Sequence, residues 1–182
     1  MAEKKKRGFI KRSYAYARDY TITPNGEIRY HGILYEFLDP DCAVCFKRFA
    51  IQSGIAAALM LLCGLLPVVS MRFSAFVIFP YGIDLLSSFV LLVACIRLVR
   101  VPSPMERRMF DTSYARLLPC SAIVAIASVI AFFGHLVYLL THLYLGVLFP
   151  DIVFGIAMAI AAAVGVLIFL GGKKIRIKSY YA

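Results

Sequence analysis

The sequence contains no tryptophan, only 10 acidic residues in 182, and 16% charged residues in all, against about 25% in soluble globular domains. Charge this sparse, beside 62% hydrophobic residues and a mean hydropathy of +0.81, excludes a disordered chain. It also excludes a soluble domain, because 182 residues could not cover that much apolar surface. Five cysteines are an odd number and too few for a disulfide-built secreted scaffold, and 12 glycines give no collagen-like repeat. Signatures of catalysis are missing too: there is no Gly-rich phosphate loop, no nucleophile elbow and no His-Glu-x-x-His. The basic run Lys4, Lys5, Lys6, Arg7, Lys11 and Arg12 has no apolar core behind it, so no cleavable signal is expected.

What is present in quantity is long apolar runs. Residues 49–71, 73–96, 119–142 and 152–171 each reach the roughly 20 residues needed to cross a hydrocarbon core about 30 Å thick. Lipid offers no hydrogen bonds to the backbone, so these runs must be helices; the short alternating strands of a membrane barrel do not occur. The expected fold is therefore an all-α membrane protein, four transmembrane helices in an antiparallel bundle. The first two spans are expected to form a tight hairpin through Ser70, Met71 and Arg72.

Basic residues are distributed unevenly. Ten precede residue 49, five (Arg97, Arg100, Arg107, Arg108 and Arg116) lie between the second and third spans, and four (Lys173, Lys174, Arg176 and Lys178) follow the fourth. Arg72 alone falls on the other side, and the connection around 143–151 has no basic residue. This bias predicts both termini in the cytoplasm, in the plasma membrane, with the clusters against anionic lipid headgroups. It does not point to nucleic acid, because the charges sit in separate juxtamembrane groups.

Residues 1–48 should form a basic cytoplasmic segment with a small β-ribbon. Residues 20–23 and 27–30 flank Pro24-Asn25-Gly26, a hairpin signal, and a third extended piece is expected at 33–38. Tyr14, Tyr16, Tyr20, Tyr30, Tyr35 and Phe37 suit the headgroup region. Between the second and third spans, Ser103, Pro104, Met105 and Glu106 read as a capping box opening an amphipathic helix at 104–118, with Pro119 at its junction to the third span. The membrane domain then covers 49–172 and a basic tail 173–182.

Asp84 is the residue hardest to explain as scaffold. Thirteen positions before Arg97, it lies about 20 Å from the basic boundary, inside the hydrocarbon. No Lys or Arg shares its depth, so the neutral acid is expected, facing the bundle. Tyr81, Ser87 and Ser88 extend a polar stripe along its helix, and Ser128 and Cys63 come closest to its level on other spans. His135, Tyr138 and His142 share one helix face near the far boundary and are expected as an interfacial collar. Cys42 and Cys45 form a Cys-x-x-Cys pair, read as free or acylated thiols or, with Cys95 and Cys120, as a metal site. Gly155, Ala159 and Ala163 form a small-residue face expected to pack against another helix, as do Gly54 and Ala58.

One acid in four spans makes a thin polar pathway. The expectation is an accessory, regulatory or assembly subunit without catalytic activity or cofactor, partnered by another membrane protein or a second copy of itself. The alternative is a proton-coupled small-molecule transporter or channel with Asp84 as coupling residue.

Overall fold

The computed structural model describes residues 16, 19–22, 25, 27–100, 103–142 and 149–181. The basic run at 4–12, Tyr14, Arg18, Pro24, Gly26 and most of the connection at 143–151 lie outside the described residues. Among the described residues, four helices are long and apolar enough to cross a membrane: α1 (Cys42–Leu65), α3 (Ala75–Arg100), α5 (Tyr114–Thr141) and α6 (Phe149–Lys174). Two short helices, α2 (Val69–Phe73) and α4 (Arg107–Thr112), lie between them. The spanning helices close a ring in which α1 packs on α3 and α6, α3 on α5, and α5 on α6.

Two of the span boundaries differ from the expectation for identifiable reasons. α1 starts at Cys42, seven residues early, because the turn at Asp39-Pro40-Asp41 launches it ahead of Lys47 and Arg48. It ends at Leu65 because Leu66 precedes Pro67 and is held extended (φ −82°, ψ 142°). The expected hairpin at Ser70-Met71-Arg72 is instead the separate helix α2, which lies across the end of the bundle.

Backbone meets backbone at two crossings. A Cβ added at Gly165 of α6 would lie 2.8 Å from the amide N of Ala125 and 2.9 Å from the carbonyl O of Ser121. A Cβ added at Gly134 of α5 would lie 2.8 Å from the carbonyl O of Phe76. Phe76 is four residues before Pro80, which has no N–H to offer it, so the proline frees the carbonyl that faces α5.

The small-residue faces are rotated from those expected. Ala159 and Ala163 are exposed and Gly155 is half-buried, whereas Ala157, Ala161 and Gly165 form the buried stripe of α6. On α1, Ala58 is exposed and Gly54 half-buried, while Ser53, Ala56, Ala57 and Met60 face inward. Phe154, Met158 and Ile168, all fully buried, set the rotation of α6. Alanine spacing alone is the same on either face.

At the basic end of the bundle, five strands among the described residues form two small antiparallel sheets. β1 (Tyr20–Ile22) pairs with β2 (Ile28–Tyr30), Tyr20 opposite Tyr30. β3 (Ile33–Phe37) lies between β4 (Met105–Glu106) and β5 (Ile177–Tyr181), with Tyr35 opposite both Met105 and Ser179. The expected helix at 104–118 is therefore corrected. Met105 and Glu106 are extended and paired with β3, the Met105 side chain is buried, and α4 begins only at Arg107 with no side-chain cap from Glu106. Burial and strand pairing override the local capping pattern. The helix breaks at Ser113, and Pro119 lies inside α5.

The ribbon aromatics pack against protein. Tyr35 stacks on Phe110 at 3.9 Å, Phe110 on Tyr114 at 5.4 Å, and Phe37 meets Phe46 edge-on at 4.9 Å. The Tyr114 hydroxyl donates to the Gly172 carbonyl at 2.8 Å, joining α5 to the end of α6.

Candidate functional site: an acid enclosed by two serines

Asp84 is fully buried on α3, whose inward face also carries Val77, Tyr81, Ser88, Leu91 and Cys95. Its carboxyl group is held from two helices. Ser88 Oγ, one turn on along α3, donates to Oδ1 at 3.3 Å, and Ser128 Oγ of α5 donates to Oδ2. Both serines are buried, and among the described residues neither Asp84 nor the serines lie in an ion pair.

Tyr81 belongs to a different contact. Its hydroxyl donates to the Met60 carbonyl of α1 at 2.7 Å, and its ring lies 6.0 Å from that of Phe154. Gly64 makes this reach feasible, since a Cβ there would sit 2.5 Å from the Tyr81 hydroxyl oxygen. The polar stripe read along one helix therefore splits: Ser88 and Asp84 face α5, while Tyr81 ties α3 to α1.

A second buried polar group stands at the end of the bundle opposite the sheets. His135 is not part of an interfacial collar; it is buried, with Nδ1 2.6 Å from Ser70 Oγ of α2 and Nε2 2.9 Å from the Asp151 carbonyl O of α6. The carbonyl can only accept, so Nε2 carries the proton and Nδ1 accepts from Ser70. Apolar run lengths alone put Ser70 in a hairpin turn and do not reveal this pin; its signal in the sequence is Pro67, which ends α1 early and frees Ser70 for α2. Tyr138 and His142 stay together at the surface, rings stacked at 4.3 Å.

The cysteines do not converge on a metal. Among the described residues no three His, Cys, Asp or Glu side chains are placed to hold an ion, and all five thiols are free. Cys42 is buried in the first turn of α1 and Cys45 half-buried one turn on, both at the edge of a cleft between α1 and α6. Among the described residues, other clefts lie along the α3–α5 surface, around α2, and beside Arg97 and Arg116, and Asp84 lines none of these.

These features define a multi-pass integral membrane protein with an enclosed acid–serine cluster. No protein-family model, curated protein or solved structure matches the chain.

Proposed function

We propose that the chain is an integral membrane accessory, regulatory or assembly subunit without catalytic activity, seated in the plasma membrane with both termini cytoplasmic. The observation that carries this reading is the enclosure of Asp84. A coupling acid must exchange protons with water, whereas this one is fully buried with each carboxyl oxygen taken by a serine. Such a group fixes which faces of α3 and α5 meet, the task of a scaffold. The orientation is supported by the charges: Arg97, Arg100, Lys173 and Lys174 end α3 and α6 at the end where the sheets lie, and Arg72 stands at the other. The partners that suit this reading are anionic lipid headgroups and another membrane protein or second copy of the chain.

Affinity purification in mild detergent tests it. A larger membrane protein recovered in constant stoichiometry supports the subunit reading. Recovery of the chain alone, with proton flux in vesicles that Asp84→Asn abolishes, replaces it with a proton-coupled transporter.

A further inference from the structure

The cleft at the basic end has a chemistry ordered by depth. It has a volume of about 570 Å³ and lies between the first turns of α1 and the last turns of α6. It is lined by Asp39, Asp41, Arg48 and Lys174 toward the ends of the two helices, and by Phe49, Gln52, Leu167 and Leu170 further along them. The Phe49 ring lies against Gly171, where an added Cβ would come within 2.7 Å, so the two helices are closely packed there.

The charges are of both signs and stand at different levels. Asp41 precedes α1, while Arg48 is seven residues further in, about 10 Å along the axis, and Gln52 one turn deeper again. Asp41 makes no side-chain cap to its own helix, so its carboxylate is not used there. Asp39 spends one oxygen on the Arg176 backbone N–H at 3.0 Å, which closes the top of the cleft and leaves its other oxygen at the mouth. Arg48 and Lys174 enter no ion pair among the described residues.

A bilayer lipid presents groups in the matching order: apolar chain innermost, then ester carbonyls, then phosphate, and outermost whatever the phosphate carries. Arg48 and Lys174 suit the phosphate, and Gln52, Leu167 and Leu170, further along the helices, suit an ester carbonyl and the start of a chain. Asp41, about 10 Å outside Arg48 along the axis, asks for a positive outer group that can donate hydrogen bonds. A purely anionic headgroup would meet Asp41 with like charge, and a trimethylated amine has no N–H to give it.

We propose that this cleft binds one phospholipid whose headgroup ends in a primary amine, phosphate on Arg48 and Lys174 and ammonium on Asp41. The proposal is independent of the subunit reading and of which membrane face the cleft occupies.

Native mass spectrometry of the full chain, purified in detergent and titrated with lipids of identical chains, tests it. Phosphatidylethanolamine should bind as one molecule per chain, about tenfold tighter than phosphatidylcholine, the advantage of one charge-assisted hydrogen bond. Asp41→Asn should bring the two together, and Arg48→Gln should weaken both. Equal binding of the two lipids by the parent chain, tighter binding of phosphatidylglycerol, or a preference that survives Asp41→Asn would each overturn it. Full competition by glycerophosphoethanolamine would also overturn it, showing a site for a soluble headgroup. Should Arg48→Gln fail to fold, the headgroup series on the parent chain and the Asp41→Asn comparison decide alone.

Discussion

Ser128 of α5 donates its hydroxyl hydrogen to Asp84 of α3, 44 positions earlier in the sequence, within the membrane-spanning part of the bundle. The contact joins two neighbouring helices of the ring at a level where lipid gives polar groups no alternative partner.

Asp84→Asn should therefore be nearly silent for folding. The amide keeps an oxygen for Ser128 and presents an N–H₂ to Ser88, so stability in detergent should change by less than about 0.5 kcal/mol. Asp84→Leu removes the interhelical bond and adds bulk to a closed site, at a cost of about 1–3 kcal/mol. Thermal unfolding of both variants, alongside a functional readout, separates the roles: normal folding of Asp84→Asn with lost function would favour proton coupling.

One substitution made twice in α6 checks the packing. Gly165→Ala forces a methyl group against the backbone of Ala125 and Ser121 and should cost about 1–3 kcal/mol. At Gly155 the nearest neighbour of an added Cβ is a His135 ring carbon at 3.7 Å, ordinary contact. Gly155→Ala should be neutral or gain up to about 1 kcal/mol from helix propensity. Equal melting temperatures for the two variants would refute the crossing at Gly165.

The ribbon should loosen in alkali. Tyr20 donates to the Glu106 carboxylate, and this bond, with burial second, pushes the phenol from 10.0 up to about 12. A raised folded value means that the protonated form is favoured by docking. The contribution is complete below pH 10 and is lost as pH rises to about 12. Tyrosinate absorbance should show a late-titrating group in the parent chain that is absent in Tyr20→Phe. An unchanged titration would show that the bond does not form in solution.

Orientation is testable by single cysteines on a cysteine-free background. Position 72 should react with an impermeant reagent from outside intact cells, and positions 107 and 174, exposed at the other end, only after permeabilisation. Labelling at 107 in intact cells would reverse the topology.

Depth was legible in the sequence; rotation and long-range pairing were not. Helix rise is nearly constant, so counting from the charged ends brings Asp84 and Ser128 to one level. The face of an alanine-rich helix is decided by the bulky residues of its neighbours, so the same count could not choose between Ala159 and Ala161. Met105 and Glu106 show the other blind spot. Ser103-Pro104-Met105-Glu106 satisfies every local rule for a helix start, yet β3, some seventy residues earlier, claims those residues as a strand. His135 reads from the sequence as part of an interfacial collar because its partner Ser70 depends on where Pro67 ends α1.

The sheet built on β3 bears on how the protein is assembled. β3 precedes all the spanning helices, β4 lies between the second and third, and β5 follows the fourth. The strand made first must wait until four membrane crossings are complete before its second neighbour arrives. A chain that inserted α6 the wrong way round would carry β5 to the far side of the bilayer and leave one edge of β3 open. The three-stranded sheet thus closes only on a chain whose spans are threaded so that all three strands reach the same end of the bundle.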